Sequence, residues 1–483
     1  MKETIVRLTG ITIENFKNVK YGHIDFQGSS NYEANILGLY GQNGSGKTAL
    51  IDALAILKIV LCGHPIPKKY SDYINVDSDF ASLSYELELH CEEEVQTIFY
   101  DFELHRKQDV MEHNHEEEVS QQHSTKVEIE REKLSYKLEK EGKVVERKNV
   151  LIDTDTEDVF LPKGKYKELF QTTGKGLEEL IELLMVKKLS KANGKSFIFS
   201  AEFVKRIRKL GQSLEGDLSD REKLIAEYMY VLNRLVEYGH KELFVINTSD
   251  MGLISLGTLP FTIGYEGRHK GAAGKVHISL SHVNKLPEKE LAWIDVIICN
   301  MNTVLEKLVP GLILSMKRLG KEINEEGELV ELVQFLSHKN GKEIPFNNES
   351  DGIKKIVSIL NLLIAVFHCK SVTVVVDELD SGVFEYLLGE LLQIIEQRGL
   401  GQLIFTSHNL RALETLDKNS ICFTTTNPSN RYIRFSNVKA TNNLRDLYFR
   451  DILLNEHSEK VCDLTNNSEI IMAFRRAGAE ANG

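Results

Sequence analysis

The sequence predicts an α/β fold: a mixed β-sheet that carries a phosphate-binding loop, an antiparallel subdomain beside it, and a globular, largely helical insertion with no long coiled coil. Three stretches predict it. Residues 41–48 read GQNGSGKT, between an apolar run at 36–40 and a helical pattern at 49–57. Residues 371–380 read SVTVVVDELD, a β-branched run ending in acids. Between them, leucines at helical spacing alternate with strand-like segments and glycines, and sustained heptads are missing.

The glycine-rich loop fits G-x-x-x-x-G-K-[ST], with a strand before it and a helix after it, the context that a phosphate-binding loop requires. Gly41, Gly44 and Gly46 permit turns closed to other residues, so successive N–H groups and the helix N-terminus converge on phosphate oxygens. The expected nucleotide-binding set is Gly41, Asn43, Gly44, Ser45, Gly46, Lys47 and Thr48. Lys47 would reach the β- and γ-phosphates and Thr48 would ligate Mg²⁺. A glycine-rich turn without a ligand is the alternative; the flanks favour a purine nucleotide with Mg²⁺.

With 483 residues and 42% hydrophobic content the chain can bury a substantial core in two or three domains. A net charge of -12 repels nucleic acid over most of the surface, so any such contact needs a local basic patch. Cys62, Cys91, Cys299, Cys369, Cys422 and Cys462 include no C-x-x-C pair, which suits reduced thiols in a cytoplasm. Lys2, Glu3 and Arg7 interrupt the start before a signal peptide could develop. The longest apolar stretch, 356–369, contains Ser358, Asn361 and His368 and is too short for a bilayer. The expectation is a cytoplasmic protein with no membrane partner.

Taken in order, residues 4–28 alternate apolar and polar and predict an antiparallel hairpin leading into the loop strand. Residues 81–105 predict two or three strands, with Leu83, Tyr85, Leu87 and Leu89 sharing one face. The polar stretch 106–124 reads as a disordered loop, and a hairpin turns near Gly142. From 157 to 240, Leu177, Leu180, Ile181, Leu184, Ile225, Tyr228, Leu232 and Leu235 recur at spacings of three and four, as in helices. Strands return at 242–246 and 276–280, and a helix over 288–308 stops at Pro310-Gly311. The expected organisation is an N-terminal lobe, 1–156, a helical insertion, 157–240, a C-terminal lobe, 241–440, and a helical tail, 441–483.

The β-branched run at 371–376 is the kind of strand buried on both faces of a parallel sheet, and acids at its C-terminal end sit where such sheets bind ligands. Asp377 would hold Mg²⁺, through a water or through Thr48, and Glu378 would orient and deprotonate the attacking water. Residues 402–409, QLIFTSHN, form another short buried strand ending in His408. That histidine either hydrogen-bonds the γ-phosphate or is a loop histidine with no ligand.

The order of these parts is phosphate loop, long insertion, Ser350-Asp351-Gly352-Ile353-Lys354-Lys355 ahead of an apolar helix, strand-Asp377-Glu378, and strand-Ser407-His408. It resembles the ABC ATPase superfamily, in the branch of structural-maintenance-of-chromosomes, RecF and OLD-type proteins. The resemblance covers residues 4–60 and 330–425. It implies an ABC-type P-loop ATPase head that hydrolyses ATP, with Ser350 and Gly352 as a signature motif completing the site of a neighbouring subunit from a helix N-terminus. It also implies Glu378 as the catalytic base and His408 as a switch histidine, with Lys47 catalytic alongside them. The signature, ESDGIKK, lacks a second glycine and a glutamine, Phe384 stands where the family has an acid, and Gln96, Gln108 and Gln171 are equal candidates for the family's loop glutamine.

Without coiled-coil arms, and with little chain after His408 for a nuclease, the pattern is similar to the compact stand-alone ATPases of prokaryotic anti-phage systems such as PARIS and Septu. The residues carrying this are 349–355, 377–382 with Phe384 to Leu387, and 406–411. The resemblance implies a homo-oligomer built on a dimeric ATPase unit, and a separate effector such as a TOPRIM or HNH nuclease. A repair or recombination ATPase acting directly on DNA, and a slow ATP-binding scaffold, are the other classes considered.

Weaker signals have two readings each. Lys187, Lys188, Lys191, Lys195, Lys205, Arg206, Arg208 and Lys209 are either a solvated helical face or a contact for nucleic acid or an acidic protein. His113, His115 and His123 lack the fixed spacing of a zinc site. Lys17 either approaches the nucleotide or is solvated, and the amphipathic segment 442–450 either packs on the core or docks a partner.

Overall fold

A computed structural model describes residues 4–26, 34–108, 125–170, 175–212, 219–248, 258–263, 274–279, 282–324, 327–339, 341–435, 443–454 and 459–480. The central sheet runs Tyr432–Ile433, Ile421–Thr424, Asn35–Tyr40, Gln402–Thr406, Thr373–Val376, Leu243–Ile246. All its pairings are parallel except that of the terminal strand Tyr432–Ile433. Val374, Val375 and Val376 are fully buried, as a strand covered on both faces requires. Register decides the rest: Gly38 and Val376 both stand opposite Phe405. The loop after Tyr40, the acids after Val376 and the Ser407-His408 segment therefore leave the same edge of the sheet.

The antiparallel sheet is six-stranded, ordered Val19–Asp25, Ile5–Phe16, Phe80–Cys91, Glu94–Gln108, Thr125–Lys140, Lys143–Asp153. The expected first hairpin belongs here, because Ile5–Phe16 pairs with Phe80–Cys91 and not with the loop strand that follows it in the chain. Leu83, Tyr85, Leu87 and Leu89 do share its buried face. The turn at Gly142, whose φ is +71°, closes the last hairpin. The part of the predicted polar loop at 109–124, including His113, His115 and His123, lies outside the described residues.

The helix Lys47–Leu61 is buried on nearly every side and joins the two sheets. Four helices, Lys163–Phe170, Lys175–Ala192, Ala201–Gly211 and Asp220–Lys241, follow the antiparallel strands. Ser200 caps the third, and Ser219 with Glu222 forms a reciprocal capping box on the fourth. Phe203, Ile207, Tyr228, Leu232 and Leu235 lie in the same core as the loop helix and the inner face of the antiparallel sheet. A second core, on the other side of the central sheet, gathers Glu288–Leu308, Asp351–His368 and Glu385–Arg398.

A small antiparallel sheet of Asn284–Pro287, Leu329–Lys339, Ile313–Ile323 and Lys342–Pro345 had no counterpart in the sequence reading, nor did the strand Thr258–Ile263. Ile313–Ile323 is exposed along most of its length and its register shifts between Arg318 and Gly320, so no apolar alternation marks it. The available signal was the dipeptide Asn340-Gly341, a common hairpin turn. Among the described residues no helix is long and apolar enough to cross a membrane.

Candidate functional site

The first turn of the loop is built by glycine. Gly44 and Gly46 have φ of +77° and +98°, which L-residues rarely adopt. A Cβ on Gly41 would sit 1.9 Å from the Thr424 hydroxyl, and one on Gly46 would sit 2.9 Å from Arg431 Cγ, so both positions exclude a side chain. The neighbouring strands brace the loop: Tyr432 OH donates to the Gly46 carbonyl at 2.9 Å, Ser45 Oγ donates to the Gln42 carbonyl at 2.6 Å, and Ser45 also bonds Thr424. Lys47 folds back to donate to the carbonyls of Gly41 and Gln42, at 2.7 and 3.1 Å. Burial lowers its pKa from the ordinary lysine value, against the opposing pull of Asp377, Glu378 and Asp380.

Across the cavity, Asp377 is buried and its two oxygens accept from different threonines, Thr406 Oγ1 and Thr248 Oγ1, each at 2.6 Å. Thr406 Oγ1 also accepts the Glu378 N–H at 2.7 Å. Glu378 itself is exposed, with a left-handed φ of +48° that is costly for a residue with a side chain. Asp380 Oδ2 accepts the His408 N–H at 3.0 Å, which ties the segment of His408 to the acidic one.

These parts enclose one cavity of about 260 Å³, lined by Lys17, Asn18, Asn43, Gly44, Gly46, Lys47, Thr48, Ala49, Asp377, Glu378, Thr406 and His408. Lys47, Thr48, Asp377, Glu378 and His408, far apart in the chain, thus meet at one place. Gly41 and Ser45 lie beneath the loop, buried. Ser350 and Gly352 do not line the cavity in this chain: Ser350 is exposed at the N-terminus of Asp351–His368, where its side chain accepts from Ile353 N–H at 3.4 Å. Of the three glutamines, Gln96 is buried within Glu94–Gln108 and Gln108 is exposed at its end, neither lining the cavity. Gln171 lies outside the described residues.

Sequence reasoning missed what Thr248, Thr406 and Asp380 do: they hold Asp377, the Glu378 N–H and the His408 N–H in place. Thr406 and Asp380 were visible as polar residues at the ends of buried strands; Thr248 carries no such mark. Lys17 does line the cavity, where its amine bonds Asp52 and lies 4.0 Å from the centre of the Tyr73 ring. Four cations of the basic stretch are committed within the chain. Lys187 donates to the carbonyls of Thr156 and Asp158, Lys191 to Glu130, Arg206 to Glu179 and Glu182, and Arg208 to Asn233. In the helix Leu444–Leu454, Leu444 and Tyr448 are buried and Tyr448 stacks on Phe423 at 5.1 Å, so this segment packs on the core.

The carboxylate of Asp377 and the hydroxyl of Thr48 are hard oxygen donors facing one cavity, a donor set that suits Mg²⁺. The loop N–H groups and Lys47 suit a triphosphate.

Among curated proteins none matches this chain. Among solved structures it is similar to a Smc head bound to the C-winged-helix domain of ScpA, at TM-score 0.38 and 14% identity, covering 90% of this chain and 98% of that one. A Smc head with an extended coiled coil bound to the C-terminal domain of ScpA, from Pyrococcus furiosus, gives 0.39 and 13%, covering 92% and 100%. The recombination mediator RecF with ATP gives 0.32 and 12%, covering 84% and 94%. The family model described as the RecF/RecN/SMC N-terminal domain matches residues 7–430. A match over that span, with the phosphate loop and acidic strand end facing each other, means that the chain belongs to the RecF/RecN/SMC family and is an ATP-binding, ABC-type P-loop ATPase.

Proposed function

We propose that two copies of this chain sandwich two ATP molecules, each held by the phosphate loop of one copy and capped by Ser350 and Gly352 of the other, and that the assembly senses infection and controls a separate effector nuclease. The observation that carries the head-to-tail arrangement is the cavity wall. Loop, acids and switch histidine line it from one chain, while the exposed N-terminus that bears Ser350 does not. In this reading 1–156 and 241–440 are the two lobes of the head, 157–240 the insertion and 441–483 the tail.

Lys47 neutralises the phosphates, Glu378 takes the proton of the attacking water, and His408 contacts the γ-phosphate. Thr48 and Asp377 would hold Mg²⁺, which draws charge from the phosphate oxygens when bound. ATP favours the closed pair because its γ-phosphate touches both copies, and hydrolysis removes that differential contact. Glu378→Gln is therefore expected to accumulate a closed oligomer with ATP, whereas Lys47→Ala loses nucleotide binding; identical light scattering and ATPase rates in wild type and Glu378→Gln would contradict this.

Support for an effector-controlling role, over direct action on DNA, comes from charge. The net charge is -12, and Lys191 and Arg206 of the most basic stretch are paired with carboxylates. The test is co-purification with the product of the adjacent gene, with and without ATP. Stable capture of a nuclease, released on infection, is the expected result. No capture together with DNA-stimulated ATP hydrolysis would favour the repair reading.

A further inference from the structure

The helix that carries Ser350 also touches the chain's own catalytic segment, in two places. Lys355, one turn into Asp351–His368 and 4% exposed, donates from Nζ to the backbone carbonyl of Glu378. A Cβ built on Gly352 would lie 2.2 Å from the carbonyl oxygen of Gly382, so the first turn of the helix rests directly on the backbone just past Glu378. We propose that Lys355 is a positioning residue that transmits the placement of this chain's signature helix to its own Glu378, so that hydrolysis at one nucleotide site depends on ATP at the other. The inference rests on the head-to-tail reading above.

Glu378 is held from two sides. Its N–H is fixed by Thr406, at the end of the central sheet, and its carbonyl by Lys355, on the signature helix. Between these anchors the residue keeps its left-handed φ, and its side chain remains exposed in the cavity. A peptide held in a sparsely populated conformation by two partners changes its aim when either partner moves. The Thr406 anchor belongs to the sheet; the Lys355 anchor belongs to the element whose tip would meet the other subunit's phosphate.

The link is stiff. Ser350 and Lys355 are separated by about 7 Å of helix at the usual rise per residue, and the Gly352–Gly382 contact has no side chain in it to absorb a shift. Lys354, the adjacent cation, is instead bonded to Asp351 on the same helix, at 3.3 Å. Asp377, Glu378 and Asp380 supply the negative charge around the Lys355 amine. ATP seated against Ser350 of one chain therefore favours one placement of that chain's Glu378, and the coupling runs equally in reverse.

The test compares full-length wild type, Lys355→Met and Lys355→Arg. ATPase rate is measured against ATP concentration, and dimer formation with ATP is followed by light scattering. The wild type is expected to show a Hill coefficient above one. Lys355→Met should lower kcat by about tenfold or more and lower the Hill coefficient below that of the wild type, with half-saturation changed less than about twofold and the ATP-dependent dimer retained. Lys355→Arg keeps a donor for the Glu378 carbonyl and should recover part of both. Unchanged kcat and cooperativity in Lys355→Met would overturn the proposal, as would a lower kcat with wild-type cooperativity, because the lysine would then shape Glu378 without relaying anything. A wild type that forms no dimer with ATP would overturn the head-to-tail reading, and the relay with it.

Discussion

Replacing Lys355 by methionine should slow the enzyme without weakening the fold. In the folded chain burial pushes the Lys355 amine down from 10.5 to about 8, against the opposing pull of Asp380, Glu378 and Asp377. That difference makes the charged amine costly by roughly 3 kcal/mol at neutral pH, at 1.36 kcal/mol per pH unit. Methionine fills a similar volume and removes this cost, while leaving the Glu378 carbonyl without its donor, a loss of about 1 kcal/mol. The net expectation for the nucleotide-free protein at pH 7 is a variant more stable by about 1–2 kcal/mol. The sign with pH follows from linkage. The folded pKa lies below the unfolded one, so between about 8 and 10.5 the unfolded chain holds more protons, and wild-type stability rises with pH through that window. The advantage of Lys355→Met should therefore shrink as pH climbs from 8 towards 10. Calorimetric or denaturant-induced unfolding at pH 7 and pH 9.5 reads both effects. A variant less stable than wild type by about 1 kcal/mol or more at pH 7 would refute the reasoning, since the amine would then be a net stabilising partner.

Three further outcomes are expected. Gly352→Ala places a Cβ 2.2 Å from the Gly382 carbonyl, so the helix and the segment must separate; a cost of about 1–3 kcal/mol and a fall in ATPase rate are expected, measured by thermal unfolding and phosphate release. Thr406→Val removes the donor to Asp377 and the acceptor for the Glu378 N–H, and should cost about 1–3 kcal/mol while lowering kcat more than ATP affinity; an unchanged rate would show that the acids need no such support. Reversing Lys205, Arg206 and Arg208 to glutamate should leave nucleic-acid affinity unchanged in a filter-binding or anisotropy titration, because Arg206 is already held by Glu179 and Glu182; a lost salt-sensitive interaction would make the stretch a phosphate contact.

The sequence alone marked the phosphate loop and the acidic strand end that line the cavity, because each is local. The loop 41–48 needs glycines at fixed offsets for its own backbone, and 371–378 needs β-branched residues followed by acids for its own strand. The helix Glu288–Leu308 was legible to its end because Pro310 cannot continue the ladder. Tertiary structure decided what local patterns do not encode. The first hairpin joined the antiparallel sheet, because pairing partners are chosen across the chain by which apolar faces can be buried together. Thr248 came to hold Asp377 by the parallel register of Leu243–Ile246 with Thr373–Val376, which no spacing announces. Lys355, which in the sequence is one cation in a helix start, became the partner of Glu378 because the close approach of Gly352 to Gly382 sets the two segments against each other. Short-range stereochemistry writes a motif; only long-range packing decides which other groups hold it in place.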